Sequence, residues 1–173
     1  YYEWNNYAVY SDDGGVTWSK FINNNCIYEN IFIYDSLIIV TGEKRTWDSI
    51  FVARSIDYGV TWQETALYYD IFPIWGLTFL SADTAYATGL SGTILQTNDG
   101  GITWSNLYQD PVGGWEDLYY FSPDTGFLMT TVILRTTDGN VSFNQVNTNG
   151  NNTAFYDMEF IIDSVGCVVG GNG

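Results

Sequence analysis

The chain has 173 residues, with 20 acidic side chains against 5 basic ones and no histidine, which gives a formal net charge of −15. A polyanion of this kind is not expected to bind nucleic-acid phosphates or to dock on anionic membranes, since both need a basic surface. No run of about 18 apolar residues is present, so the sequence predicts no membrane insertion. The lack of histidine excludes a serine–histidine–aspartate triad and nearly excludes a zinc site.

One motif, Ser/Thr-x-Asp-x-Gly-x-Thr-Trp, recurs along the chain. Its copies begin at Ser11, Ser55, Thr97 and Thr136, which puts successive aspartates 44, 42 and 39 residues apart. A period of about 40–45 residues with four strands per unit is typical of β-propeller blades. The motif residues that we assign to structural turns are Asp13, Gly15, Trp18, Asp57, Gly59, Trp62, Asp99, Gly101, Trp104, Asp138 and Phe143.

Between the motifs, alternating apolar and polar residues predict an all-β propeller of four-stranded antiparallel blades, with the motif between the third and fourth strands. The clearest unit predicts strands at 75–80, 85–89 and 93–97, and an outer strand that opens at Thr103. Tight turns between first and second strands are predicted at Asp35-Ser36, Asp83-Thr84, Asp124-Thr125 and Asp163-Ser164. The predicted single domain over 1–173 divides into an outer half-blade at 1–24, blades at 25–68, 69–110 and 111–150, and an inner half-blade at 151–173.

The two half-blades leave two interpretations of the chain open. Strands from both termini pair and close a small four-bladed ring, or the chain is an excerpt of a larger propeller and is covalently part of a longer chain. Ring closure would bring Cys26 and Cys167 nearer to each other. Their places in a first and a second strand nevertheless favour two buried free thiols.

Every position of the motif has a structural explanation. The aspartate is expected to accept backbone N–H bonds across the turn, and the glycine supplies torsions that other residues reach only with strain. The tryptophan buries a large area and can donate its N–H. Asn140 and Phe143 in the fourth copy are conservative replacements for such a turn. We therefore predict no catalytic, cofactor-binding or metal-ligating residue here, with calcium at acidic turns such as Asp12-Asp13 as the remaining metal alternative.

The motif and the strands around it resemble the Asp-box propellers, also called bacterial neuraminidase repeats. Residues 77–89 and 92–104 resemble the repeats of photosystem II assembly factor-like propellers nearly throughout. Such repeats are also common in secreted bacterial proteins that carry a sorting domain for type IX secretion. The resemblance covers almost the whole chain and implies the fold and a secreted or cell-surface location, whereas function lies on the loops that a propeller displays.

The first functional hypothesis is a non-catalytic recognition, adhesion or scaffolding module with a protein or glycan ligand on the propeller face. Exposed aromatic rings beside amides and carboxylates suit such ligands. Trp75 and Trp115, which fall in similar places of successive units, are expected in the core. The candidate ligand-contact residues are Arg45, Trp47, Tyr69, Tyr108 and Asp110.

The alternative is a glycoside hydrolase or carbohydrate-binding propeller that acts on extracellular polysaccharide. Hydrolysis would need two carboxylates roughly 5–10 Å apart. Acids such as Asp117 and Asp157 recur at comparable places, which favours architecture over a unique active site. A sialidase would need a cluster of three arginines, and its arginine-containing signature is absent. A photosynthetic assembly role, which the closest repeats suggest, is disfavoured by the acidity of this chain.

Overall fold

The computed structural model describes residues 8–21, 26–46, 49–67, 74–89, 92–109, 113–148, 154–162 and 165–171. All regular elements in these ranges are β-strands. The same residues contain no helix with the length and apolar character needed to cross a membrane. The prediction of an all-β chain with four-stranded antiparallel units is confirmed.

The strands form five antiparallel sheets, which we number I to V in chain order. Sheet I contains β1 (Ala8–Tyr10) and β2 (Ser19–Phe21). Sheet II contains β3 (Cys26–Tyr34), β4 (Leu37–Lys44), β5 (Ile50–Ser55) and β6 (Gln63–Leu67). Sheet III contains β7 (Ile74–Phe79), β8 (Ala85–Gly89), β9 (Thr93–Thr97) and β10 (Ser105–Gln109). Sheet IV contains β11 (Asp117–Tyr120), β12 (Gly126–Met129), β13 (Ile133–Thr136) and β14 (Asn144–Gln145). Sheet V contains β15 (Phe155–Ile162) and β16 (Val165–Gly170).

The core lies between successive sheets. Phe32 of sheet II stacks on Phe79 of sheet III with ring centroids 3.8 Å apart, and Tyr86 of sheet III stacks on Tyr120 of sheet IV at 4.1 Å. We call the face of a sheet on the side of the next sheet along the chain its forward face, and the face on the side of the sheet before it its rear face. This arrangement buries apolar surface on both faces of the central sheets and places the first strands β3, β7, β11 and β15 side by side.

The strand register repeats from sheet to sheet. The residue of the second strand that faces the first residue of the motif is Ile38, Ala85 and Gly126 in sheets II, III and IV. The first strands of sheets II, III and V also share a bulge, and its extra residue is Glu29, Trp75 and Tyr156. A β-bulge turns side chains away from the regular alternation. The repeat thus gives these three sheets an irregular position at the same place in the first strand.

Two sequence-based expectations are wrong in detail. The outer strand of sheet III begins at Ser105, because the motif turn still includes Thr103 and Trp104. Trp75 and Trp115 do not occupy equivalent positions. When the registers of sheets III and IV are aligned, the residue that corresponds to Trp75 is Glu116. Trp115 is 4% exposed, as expected of a core residue, whereas Trp75 is half-buried and lines a cavity.

Both cysteines are free, as expected, and Cys26 is buried. Cys167 is exposed, which the sequence analysis did not expect. It lies on the forward face of sheet V, the position that Ile39 occupies in sheet II. In sheet II this face is covered by sheet III, and no described sheet follows sheet V.

Candidate functional site

Side-chain hydrogen bonds hold each copy of the turn motif, and the third copy shows the arrangement. The Asp99 carboxylate accepts the backbone N–H of Thr103 at 2.8 Å and the Thr103 hydroxyl at 2.5 Å. The Thr97 hydroxyl donates to the same carboxylate at 2.8 Å and accepts the backbone N–H of Gly101 at 2.9 Å. The Trp104 indole N–H donates to the Gly101 carbonyl at 3.2 Å. All partners lie within one motif, so the turn is closed by its own residues.

The other three copies repeat this geometry. Their aspartates accept the backbone N–H four residues later at 2.8 to 3.0 Å. The indole bond recurs at 3.1 Å for Trp18 and at 2.8 Å for Trp62. In the fourth copy Phe143 has no N–H to donate, and its ring packs between sheets III and IV. In this copy the aromatic ring still packs between two sheets, although the indole hydrogen bond is absent.

The hydrogen bonds lower the pKa of the motif aspartates. The Thr17 hydroxyl and backbone N–H, with the Ser11 hydroxyl, lower the pKa of Asp13 to about 2. The corresponding hydroxyl bonds from Thr61 and Ser142 lower the pKa of Asp57 and Asp138. For Asp99, burial acts to raise the pKa, but the bonds from Thr103 lower it on balance. A carboxylate whose charged form is stabilised in this way is poorly suited to act as a general acid near neutral pH.

The motif requires two successive left-handed residues, at its fourth and fifth positions. The fifth position has φ of +84° at Gly101 and +70° at Asn140. The fourth position also has positive φ, and three of the four copies use glycine there. Tyr58 stands at this position in the second copy, with φ of +58°. The sequence analysis identified the fifth position but missed the fourth, because Tyr58 breaks the glycine pattern.

The motif turn also ties neighbouring elements together. The Gly100 N–H donates to the Asp83 carbonyl at 2.8 Å, and the Gly139 N–H donates to the Asp124 carbonyl at 3.2 Å. The motif and the turn between first and second strands therefore lie at the same end of a sheet. Arg54 of sheet II donates from Nε to the Gly100 carbonyl of sheet III at 2.8 Å. These contacts give the motif a role in joining one sheet to the next.

A polar cavity of about 480 Å³ lies where the first strands of sheets II to V meet. Its wall combines carboxylates, an amide and aromatic rings that come from all four sheets. Tyr156 is 59% exposed, and Trp75 and Asn30 are half-buried. The side chains that define the cavity chemically are Asn30, Trp75, Asp117, Tyr156, Asp157 and Glu159.

Asp117 and Asp157 converge inside this cavity from adjacent sheets. The Met158 backbone N–H lies 3.1 Å from Asp117 Oδ2 and 2.8 Å from Asp157 Oδ1. Burial raises the pKa of Asp117 to about 6, against the lowering effect of the Leu118 and Met158 N–H bonds, and the Asp157 carboxylate adds to the rise. Asp117 therefore stays partly protonated at mildly acidic pH.

A second acidic pair connects β3 and β4. Desolvation of the carboxylate and the neighbouring Glu43 raise the pKa of Glu29 to about 8. Glu43 is 3% exposed, burial raises its pKa as well, and its Oε2 has no hydrogen-bond partner in the described structure. Glu29 is the extra residue of the bulge in β3 and directly precedes Asn30, which lines the cavity. One sequence feature could have indicated both acidic pairs: their carboxylates lie within strands rather than in turns.

The candidate ligand-contact residues are not brought into one site. Arg45 is exposed in the turn after β4. Tyr108 is half-buried, and its ring lies 4.9 Å from that of Phe143, so it packs between sheets III and IV. Trp47, Tyr69 and Asp110 lie outside the described residues. Within the described ranges no group of three or more acidic or cysteine side chains is arranged to hold a metal ion.

The arrangement of sheets can now be compared with known structures. The fold resembles that of YCF48. A structure titled YCF48 bound to D1 peptide matches 96% of this chain and 84% of its own, with 15% identity and a TM-score of 0.51. YCF48 from Cyanidioschyzon merolae matches with 18% identity and a TM-score of 0.66, over 88% of this chain and 53% of its own, so the chain spans about half of that protein. No family model and no curated protein matches the sequence. Likenesses at this level of identity show the fold alone.

Proposed function

We propose that the chain is a non-catalytic binding module whose sheets are blades of an Asp-box β-propeller, and that it recognises a segment of another protein. The observation that carries the proposal is the polar cavity into which sheets II to V each contribute a side chain. A surface that gathers carboxylates, an amide and rings from several rigid strands suits recognition of a polar segment. YCF48, whose fold this chain resembles, has been solved with a D1 peptide.

The charge of the cavity favours a basic segment. Asp117, Asp157 and Glu159 all line it, and the whole chain carries a net charge of −15. A lysine or arginine at this place would form charge-assisted hydrogen bonds with Asp117 and Asp157 and favour the charged form of Asp117. Trp75 and Tyr156 line the same cavity as the carboxylates, and aromatic rings attract cationic side chains.

A glycoside hydrolase remains the second candidate from the sequence, but the geometry of the pair disfavours it. Asp117 and Asp157 accept the same backbone N–H of Met158, so their carboxylates lie close together. Retaining and inverting enzymes hold their carboxylates about 5 to 10 Å apart, with room for the sugar between them. The turn aspartates are low-pKa acids that already accept bonds from their own motif. Binding without turnover therefore fits the described acids better.

The proposed location, secreted or on a bacterial cell surface, rests on the resemblance to Asp-box repeats of type IX-secreted proteins. A composition rich in acids and poor in lysine and arginine supports solubility of an exported domain. Fractionation of cells that express the protein from its own gene tests this part of the proposal. Recovery in the medium or on the outer surface is expected, and recovery in the cytoplasm would contradict it.

The binding proposal is tested with a fluorescent peptide of alternating lysine and serine. We expect saturable binding by the wild-type protein, and at least about a tenfold weaker affinity after Asp117→Asn together with Asp157→Asn, which corresponds to about 1.4 kcal/mol. Asp83→Asn is the matched control, because Asp83 is an exposed carboxylate outside the cavity. Equal affinity of the cavity variant and the control would overturn the proposed site.

A further inference from the structure

Two buried oxygen atoms on β4 have no hydrogen-bond partner in the part of the chain that the structure describes. They are Thr41 Oγ1 and Glu43 Oε2, and their side chains are 0% and 3% exposed. Buried polar atoms in proteins are nearly always paired, so an unpaired one calls for an explanation such as a bound water or ion. Thr41 and Glu43 are two residues apart on one strand, and their side chains therefore lie on the same face of sheet II.

The register adds a second carboxyl group to this face. Thr41 pairs with Asn30, whose amide donates to a backbone carbonyl of sheet III at 3.0 Å, so the face is the forward face of sheet II. Glu43 pairs with Ile27 of β3, and Glu29 lies two residues after Ile27, in the bulge. The Glu29 side chain therefore returns to the face that carries Thr41 and Glu43.

A glycine holds the two carboxyl groups together. Gly42 lies between Thr41 and Glu43, and a Cβ atom there would be 1.8 Å from the Ile27 carbonyl oxygen. Only glycine permits β3 to pass this close, so the strand backbone fixes the place of Glu29 beside Glu43. The two carboxyl groups are near enough for each to change the pKa of the other.

The described residues offer this pair no compensating charge. Lys44 follows Glu43 and pairs with Cys26, so its side chain lies on the rear face of the sheet. None of the described lysines or arginines lowers the pKa of Glu29 or Glu43. A water molecule would satisfy the unpaired oxygens but would not stabilise both carboxyl groups in their charged form. A divalent cation does both.

We propose that Glu29, Glu43 and Thr41 bind a calcium ion on the forward face of sheet II. Two carboxylates and a hydroxyl are hard oxygen ligands, which suit calcium and magnesium better than transition metals. Calcium is favoured because Glu43 and Thr41 are buried, whereas magnesium gives up its waters reluctantly. Glu29 is exposed, so the ion enters from its side and keeps waters there.

The site is separate from the polar cavity and from the motif turns. Neither Glu29 nor Glu43 lines the cavity, although Asn30 does, and both lie in strands rather than in acidic turns such as Asp12-Asp13. The inference goes beyond the proposed binding function and does not depend on it. A bound cation favours the charged form of both carboxyl groups, so their raised pKa values belong to the calcium-free protein.

Calorimetric titration of the chelator-treated protein with calcium chloride tests the site. One ion per chain is expected, with at least about tenfold weaker affinity after Glu29→Gln or Glu43→Gln, since each change removes one of two negative charges. Glu116→Gln is the matched control. Glu116 has the register position in sheet IV that Glu29 has in sheet II, and β12 opposite it carries no carboxylate.

Thr41→Val distinguishes a calcium ligand from a purely structural residue. The change removes a buried hydroxyl that has no partner, so in the presence of chelator the variant should unfold at a higher urea concentration than the wild-type protein. Calcium should then raise the unfolding midpoint of the variant less than that of the wild-type protein. An equal rise in both would overturn the assignment of Thr41 as a ligand.

Two results overturn the site as a whole. Wild-type protein that binds no calcium would show that the unpaired oxygens meet water alone. Unchanged affinity in both glutamine variants would place the ion elsewhere, and Asp117→Asn together with Asp157→Asn then tests the cavity. Glu29→Gln keeps the test valid if Glu43→Gln does not fold, because Glu29 is exposed.

Discussion

Trp18 and Trp104 occupy the same motif position but differ in how far their side chains are buried. Trp18 and Trp104 both donate their indole N–H to the carbonyl of the glycine three residues earlier, at 3.1 and 3.2 Å. Trp104 is 7% exposed in the core between sheets II and III, whereas Trp18 is 60% exposed. The bonds of the motif's aspartate, hydroxyls and indole are therefore made within its own eight residues, whereas the neighbouring sheet determines whether its tryptophan is buried.

The comparison separates local from tertiary stabilisation. The turn bonds of the first copy form even though sheet I has two strands and little packing. Burial of an aromatic side chain contributes several times more free energy than a single hydrogen bond whose unfolded partners bond to water. Sheet III is then expected to depend on its contacts with sheet II, and the turn in sheet I mainly on itself.

The largest expected effect is the loss of the buried ring. Trp104→Ala should lower the free energy of unfolding by about 3–5 kcal/mol, because it opens a cavity between two sheets. Trp18→Ala should cost less than about 1 kcal/mol at protein concentrations where the chain is monomeric. Urea unfolding followed by circular dichroism measures both. Equal losses for the two variants would show that the motif, rather than the neighbouring sheet, sets the contribution of the ring.

Glycine substitutions give the next largest difference. Gly14 and Gly100 occupy the same motif position with φ of +74° and +68°. An added Cβ at Gly14 meets nothing within 4 Å, whereas at Gly100 it would lie 2.9 Å from the Ala82 carbonyl oxygen. Gly14→Ala is expected to cost about 1 kcal/mol from backbone strain alone, and Gly100→Ala about 2–4 kcal/mol because the turn before β8 must shift.

The same urea titrations, run on both alanine variants, check this difference. Gly113→Ala is the control, since Gly113 has neither a left-handed φ nor a close contact and should change little. If Gly14→Ala proved as costly as Gly100→Ala, contacts with the adjoining turn would have no part in the stability of the motif.

The smallest expected effect is the pH dependence, which differs between turn acids and strand acids. The pKa of Asp13 is lowered to about 2, so its contribution to stability is present above about 4 and lost as the pH falls toward 2. The pKa of Asp117 is raised to about 6, so its contribution is present below about 4 and lost as the pH rises through 6. Glu29, with a pKa raised to about 8, adds a further loss as the pH rises through 8.

Unfolding midpoints across this pH range test the assignment. Relative to the wild-type protein, Asp117→Asn should gain stability as the pH rises from about 4 to 7, because the amide carries no charge to desolvate. Asp13→Asn should flatten the fall in stability below pH about 4. A wild-type profile that rises steadily from pH 4 to 9 would contradict the raised pKa values of the strand acids.

The sequence predicted the interactions between residues that are close together along the chain. The turn bonds of Asp99 were predictable because donors and acceptor sit within one motif. The cavity was not, because Asn30, Trp75, Asp117 and Asp157 are about forty residues apart and meet through the register of separate strands. The expected equivalence of Trp75 with Trp115 failed by one residue, because Leu77 and Leu118, which hold equivalent places in the register, are 41 residues apart. The exposure of Trp18 could not be predicted either, because its motif matches that of Trp104 position by position.

The most direct test of the proposed function is hydrogen exchange of the protein with and without the lysine–serine peptide. Slower exchange is expected at first-strand amides beside the cavity, above all the Met158 N–H that lies between Asp117 and Asp157. The motif turns lie at the opposite end of the sheets, and the exchange rates of their amides should not change when the peptide binds. Protection confined to those turns, or no protection at the cavity with bound peptide, would contradict the assignment of the cavity as the binding site.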